Sequence, residues 1–360
     1  MPIFQAIQGA VAQSVLWSIM TLGVYITFKI LNFPDMTVDG SFATGGAVSA
    51  VLISHGFNPF LSLLIAIIAG MVCGLITGLL HTKLEIPGIL AGILMMIALY
   101  SINLRIMLGQ PNIPLLGVAT IISSVSGLFP VFSTNIISLL LGAVFVTVGI
   151  VFLYWIFGTE IGSAIRATGN NEFMVRALGV NTDKMKIIGL MLSNGLVALS
   201  GAMVGQSQGY ADVQMGTGTI MIGLASIIIG EVLMGNRFSF AYKLISVVVG
   251  SVIYRVIIAV VLQLGLKSSD LKLLTAVMVA IALAIPVIKR KKLFAPIVRV
   301  FLILKRKLGN TALGRAISAL NRKLKKLFAP IATAFERAVS AINRKLKRKS
   351  KSTGSEGKEE

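Results

Sequence analysis

Long runs without a charged residue alternate with short polar knots along this chain. The charge-free stretches cover 1–28, 40–82, 86–104, 106–159, 187–211, 213–230 and 273–288. A transmembrane helix needs about 20 mostly apolar residues, because lipid offers the backbone no hydrogen-bond partner. The longer runs divide at turn signals, His55-Gly56-Phe57-Asn58-Pro59 and Phe129-Pro130. The pattern predicts spans near 8–31, 60–80, 87–108, 135–157, 187–209, 217–235, 240–264 and 271–288. A shorter segment, 41–54, either spans, dips in or lies against its neighbours, which leaves eight or nine spans. The expected fold class is all-α, a polytopic integral membrane helical bundle.

Composition agrees with that reading. Hydrophobic residues make up 56% of the 360 positions and charged residues 13%, with a mean hydropathy of +0.89. Soluble domains carry about 25% charge, so a soluble enzyme, a disordered chain and a fibrous chain are excluded. The net charge of +20 is concentrated at one end: residues 289–360 hold 21 Lys+Arg against 4 Asp+Glu. The chain therefore reads as a nearly neutral, apolar body, 1–288, and a basic tail. The first cation is Lys29, too late for the n-region of a cleaved signal peptide. Cys73 is the single cysteine, which excludes an intrachain disulfide and multi-cysteine metal or redox motifs. His55 and His81 lie at opposite ends of one span without ligand-spaced partners, so no metal and no cofactor is expected. Gly70, Gly74 and Gly78 share a helical face suited to close helix contact.

Basic loops stay in the cytoplasm, so Lys289-Arg290-Lys291-Lys292 puts the C-terminus inside. Counting back, the loop with Arg237 and Lys243, the 158–186 loop and the His81–Glu85 turn fall inside. Gly109–Ser133 and Gly209–Gly216 fall outside, with Lys267 and Lys272 against the trend. The 158–186 loop is the most polar part of the body. Within it Asn170 or Asn171 can cap a short helix, Glu172 and Arg176 form an i,i+4 pair, and Gly179 suits the C′ stop. Phe173, Met174, Ala177 and Leu178 make its apolar side. Such a helix is either an ordinary loop element or one that docks in a partner's groove.

The residues in this loop carry a resemblance. Arg166-Ala167, RALGVNTDK at 176–184 and the following Leu192-Ser193 and Ser200-Gly201-Ala202-Met203 resemble the signature of ABC-importer permeases of the branched-chain amino acid type. The spacing departs from the wider EAA loop of such importers, since Gly179 falls seven residues after Glu172 rather than six. LNFPDMTVDGSF at 31–42, HTKLEIPGILAGIL at 81–94, LYSINLR at 99–105 and PNIP at 111–114 resemble permeases of tryptophan/tyrosine-type and uncharacterised ABC systems. The matches cover about 20–235. The resemblance implies a type II-like permease in two copies, expected as a homodimer, with ATP-binding-cassette ATPase subunits below and an extracytoplasmic solute-binding protein above. It further implies the bacterial plasma (inner) membrane. It assigns ATPase coupling to Arg166, Glu172, Phe173, Met174, Arg176, Ala177, Leu178 and Gly179. The solute implied is an amino acid, aromatic or branched-chain, with a nucleoside or sugar as the alternative. The chain has no Gly-x4-Gly-Lys-Ser/Thr phosphate loop, so ATP hydrolysis belongs to a partner and this chain is not an enzyme. An ATP-independent carrier or channel is the rival, and a membrane scaffold working through its tail is a third reading.

Polar groups at membrane depth face the interior or a water-filled path. Asp39, Asn103, Arg105, Gln206, Gln208, Tyr210 and Arg255 are the candidate path residues. The alternatives for them are interhelical pairing, as of Arg255 with Glu231 or Asp39, and simple placement at the membrane interface.

The tail repeats itself. KLFAPI recurs at 292–297 and 326–331, and AISALNRKLK at 316–325 returns as AVSAINRKLK at 338–347. Apolar residues at helical spacing amid Lys and Arg predict basic amphipathic cytoplasmic helices over 289–349, suited to anionic lipids. One aromatic per repeat gives no base-stacking platform, so nucleic acid is not the expected partner. Residues 350–360 read as a disordered C-terminus.

Overall fold

The computed structural model describes residues 2–128, 133–234, 239–263, 273, 275–277 and 279–280. The basic tail, residues 350–360, Arg237, Lys267, Lys272 and most of the 271–288 span lie outside the described residues.

Eleven α-helices and one short strand pair follow one another among the described residues. Helix α1 (Pro2–Tyr25) continues through a π turn, Ile26–Ile30. Then come α2 (Thr37–Ser54), α3 (Pro59–Thr82) and α4 (Gly88–Ile106). Strand β1 (Asn112–Pro114), α5 (Ile121–Leu128) and α6 (Thr134–Gly158) follow. Two short helices, α7 (Glu160–Asn170) and α8 (Glu172–Ala177), lead into α9 (Thr182–Gln208). Strand β2 (Tyr210–Asp212), α10 (Thr219–Met234) and α11 (Phe240–Gln263) complete the series. Among the described residues six helices are long and apolar enough to cross a membrane: Gln8–Ile30, α3, α4, α6, α9 and α11; α10 is apolar but shorter. The all-α bundle is as the hydropathy pattern predicts.

Burial sorts the helices into two groups. Within the most apolar windows, 78% of α1 and 72% of α9 is buried, against 28–39% of α3, α4, α6 and α11. The first pair is the core, and the others turn rows such as Leu64, Ile68, Leu94, Ile97, Val144 and Val148 outward. Lipid tails are as apolar as leucine, so close backbone approach and interhelical hydrogen bonds hold such a bundle. Both are present. A Cβ on Gly70 or Gly74 would strike the Asn194 or Leu190 carbonyl, and Gly78 abuts Ile187, which seats α3 along α9. Ser193 Oγ donates to the Gly23 carbonyl and Ser200 Oγ to the Leu16 carbonyl, both at 2.8 Å, which ties α9 to α1.

The 41–54 segment resolves into the whole of α2, packed in the interior against α9, α3 and α4. Gly45 sits on the Ala198 carbonyl, and Gly201 on that of Phe42. The connection 31–36 between α1 and α2 is non-helical, with Asn32 at φ 52°. Irregular backbone at membrane depth is tolerated only inside protein, and Leu31, Phe33 and Asp35 are buried there. Asp35 Oδ1 accepts from the Thr37 amide (2.9 Å), and Asp35 Oδ2 from Asn194 Nδ2 (2.8 Å). Asn194 Oδ1 in turn accepts from Ser41 Oγ at 2.7 Å.

The two ends of the bundle differ. Strand β1 pairs antiparallel with β2, Pro114 opposite Tyr210, so the Gly109–Ser133 and Gly209–Gly216 loops share one end. At the other end α7 and α8 meet the start of α9, α7 packs on the π turn through Gly169, and Lys186 of α9 lies beside His81.

Candidate coupling and translocation sites

Helix α8 is short, and its ends are set by side-chain chemistry. Asn171 is the N-cap at φ −156°, its Oδ1 accepting from the Met174 amide at 3.1 Å. Gly179 adopts φ +83°, the left-handed position that stops a helix cheaply only with glycine. Asn181 then caps α9, accepting from the Lys184 amide at 3.0 Å. The residues 158–186 thus form two helices broken at Asn171. The first, α7, has no counterpart in the sequence reading.

An ion-pair cluster fastens α8 to α9. Glu172 meets Arg176 at 2.9 Å and Lys186 at 2.8 Å, and Arg176 reaches Asp183 at 3.5 Å and Thr182 Oγ1 at 3.0 Å. Lys186 also lies 3.4 Å from His81 Nε2, whose Nδ1 is 2.9 Å from the Ile86 carbonyl. Partial burial pushes the Glu172 carboxyl up, but Lys186 and then Arg176 outweigh it and hold it below the usual range. With the folded value depressed, its contribution is full above the ordinary glutamate range, about 4.3, and is lost as pH falls through the lower folded value. Thermal unfolding of wild-type and Glu172→Gln proteins is therefore expected to differ at neutral pH and to converge only below about pH 4.

Only Val175 of α8 points inward. Phe173 is 84% exposed, Leu178 73% and Met174 50%, and Ala177 is exposed beside them. This apolar face has nothing against it among the described residues. Arg166 stands apart: its guanidinium donates to the Phe157 carbonyl at 2.7 Å and lies 5.5 Å over the Phe240 ring, which fixes α7 to the ends of α6 and α11.

The candidate path residues do not form one line. Asp39 caps α10, accepting from the Gly218 amide, Thr219 Oγ1 and the Ile220 amide at 2.8–2.9 Å. Glu231 pairs with Lys29 at 2.9 Å. Neither carboxylate is the partner of Arg255, contrary to the pairing alternative. Instead Arg255 stacks 3.8 Å over the Trp17 ring. Gln206 is a tie: its Oε1 accepts from the Ile121 amide at 2.9 Å and its Nε2 donates to Ser49 and Ser62. That tie holds the start of α5, a helix the hydropathy pattern does not single out. Asn103 is buried, its Nδ2 3.4 Å from the Gly40 carbonyl, and Arg105 is exposed. Only Gln208 and Tyr210 come together, in a cleft of about 550 Å³ at the strand-pair end with Trp17, Phe42, Asp212 and Gln214. Sequence reasoning missed Trp17, Phe42 and Asn194. Among the described residues no cluster of His, Cys, Asp and Glu can hold a metal.

Such a bundle, with apolar outward rows, a buried core pair and a polar helical loop at one end, defines a multi-pass membrane protein. Residues 6–285 match the family described as the branched-chain amino acid transport system / permease component, and the chain belongs to it. That family consists of transporter permease subunits, not enzymes, and membership implies the ATPase and binding-protein partners of an ABC system. The chain is 43% identical over 276 residues to the "Tyrosine transport system permease protein" of Clostridioides difficile (strain R20291), covering 77% of this chain and 90% of that one. It is 33% identical over 278 residues to an uncharacterized protein of Rickettsia prowazekii (strain Madrid E), covering 76% and 95%. The ribose import permease protein of Escherichia coli (strain K12) is 26% identical over 216 residues, 59% of this chain and 65% of that one. No solved structure matches the chain.

Proposed function

We propose that this chain is the membrane-spanning subunit of an ABC importer for an amino acid, with aromatic amino acids the favoured class. The observation that carries the reading is α8, a capped helix held by ion pairs at one end of the bundle with Phe173, Met174 and Leu178 turned outward. An exposed apolar helix face on a polar loop is what a groove in a partner takes. Here the partner is an ATPase subunit, one under each copy of a permease homodimer, and Arg166, Glu172, Arg176, Ala177 and Gly179 shape or anchor the docking element. The α8 end is cytoplasmic, as is the C-terminus, and the strand-pair end faces the binding protein across the bacterial inner membrane. The solute class is supported by the relative named for tyrosine transport, 43% identical. Residues 1–288 act as the permease domain, and the basic tail associates with anionic lipid.

ATP binding closes the ATPase pair, and α8 conveys that rigid-body motion to α9 through the Glu172–Lys186 contact. The test is reconstitution in proteoliposomes with the ATPase and binding protein of the neighbouring genes. Uptake of L-tyrosine is expected to need both ATP and the binding protein. Uptake that persists without ATP and follows an ion gradient overturns the reading in favour of a carrier.

A further inference from the structure

The cleft at the strand-pair end lies at the far end of α9 from α8. At about 1.5 Å per residue, the 27 residues of α9 put roughly 40 Å between the two. Its volume of about 550 Å³ falls within the 300–1,000 Å³ range of small-molecule sites. Two features of its wall are chemically distinct.

One is aromatic. The Trp17 and Phe42 rings are tilted against each other with centroids 4.9 Å apart, and Tyr210 and Met215 also border the space. A second is anionic. Asp212 Oδ1 accepts from the Gln214 amide at 2.7 Å, and among the described residues no cation pairs with this carboxylate. A cation lies next to the wall without lining it. Arg255 sits 3.8 Å over the Trp17 ring, and both Arg255 Nε and Trp17 Nε1 are buried with no acceptor.

We infer that this cleft is a solute-reading site for the zwitterion of an aromatic amino acid. The ring lies against Trp17 and Phe42, the ammonium faces Asp212, and the positive charge of Arg255, in contact with the Trp17 ring, favours the carboxylate through space. A sugar carries neither fixed charge, so the paired poles select against it although its flat face suits the aromatic wall. The class of solute rests on the importer reading above. The site itself rests on the geometry.

The chain has two tryptophans, and the other, Trp155, is 67% exposed on α6. Trp155→Phe therefore makes Trp17 the only tryptophan without touching the cleft. The full chain carrying that substitution, in lipid nanodiscs without other subunits, is titrated with L-tyrosine, tyramine, 3-(4-hydroxyphenyl)propionate and D-ribose, with excitation where tryptophan alone absorbs. L-tyrosine is expected to change Trp17 emission saturably, the two half-charged analogues to bind more weakly, and ribose to do nothing. Adding Asp212→Asn keeps the acceptor for the Gln214 amide and removes the charge. It is expected to weaken L-tyrosine by at least about tenfold, the loss of one charge-assisted contact, and to leave the propionate unchanged. An unchanged L-tyrosine affinity in the Asp212→Asn protein, a silent Trp17, or an equal response to ribose overturns the inference. If ATP-driven tyrosine uptake persists while Trp17 stays silent, the cleft proposal falls alone. If the reconstituted system takes up ribose and no amino acid, the importer's solute class falls with it.

Discussion

Aspartate at both Phe173 and Leu178 is expected to abolish ATP-driven uptake while leaving the permease folded. These side chains are 84% and 73% exposed, so their replacement removes no internal contact, and surface changes of this kind stay within about 0.5 kcal/mol of wild-type stability. In a docked complex the same two positions are buried apolar anchors, and an anchor is worth about 2 kcal/mol or more, about 30-fold each. Co-purification of the ATPase subunit with the permease is the direct readout, and uptake in proteoliposomes is the second. Gly179→Val separates docking from transmission. It leaves the apolar face in place but forces a β-branched residue to φ +83°, a strain of about 1–3 kcal/mol. The ATPase is then expected to bind and hydrolyse ATP without uptake. Wild-type uptake by both proteins would remove α8 from the coupling path.

Much of this was open to a reader of the sequence, for a physical reason. The lipid-facing helices announce themselves because their rows of Leu, Ile and Val face a solvent that rejects charge. The bounds of α3, α4, α6 and α11 therefore lie within about two residues of the hydropathy runs. Where protein replaces lipid as the neighbour, the signal fades. Helix α9 begins at Thr182, where Thr182-Asp183 marks a helix start in the sequence, but hydropathy detects it only from about 187, because its opening carries Asp183 and Lys186 for the pairs with α8. Helix α2 is rich in Gly, Ser and Thr, which pack on α9, and hydropathy alone left its depth open. The cap at Asn171 and the stop at Gly179 were legible because capping is local chemistry. The path residues were not, since a glutamine that ties α5 to α2 and one that lines a cleft read alike two positions apart, as Gln206 and Gln208 do.

Asp35 is where that limit matters most, and its replacement by leucine is expected to be the most destabilising single change in the body. The residue is 2% exposed in the non-helical connection between α1 and α2. Its partner Asn194 is 159 positions away, so no local pattern points to the pair. Leucine removes the acceptor for two buried donors, the Thr37 amide and Asn194 Nδ2, at about 1–3 kcal/mol each, or about 2–6 kcal/mol in all. Asparagine behaves differently. It still accepts from the Thr37 amide, and Asn194 keeps its donation to the Leu190 carbonyl and its acceptance from Ser41, so only the Asn194–Asp35 contact is lost. Asp35→Asn is thus expected to cost less than Asp35→Leu, measured by thermal unfolding in detergent. Equal stability of Asp35→Leu and wild type would show that the network carries no load. The position also bears on mechanism. The α7 residue Gly169 packs on the Ile30 carbonyl, and the Phe33 ring lies 5.0 Å from His81 in an edge contact. The connection that Asp35 locks therefore touches both α7 and the side chain beside Lys186. Under the proposed function, a motion entering through α8 would meet there a break in the central helices that is held by buried hydrogen bonds rather than by continuous backbone.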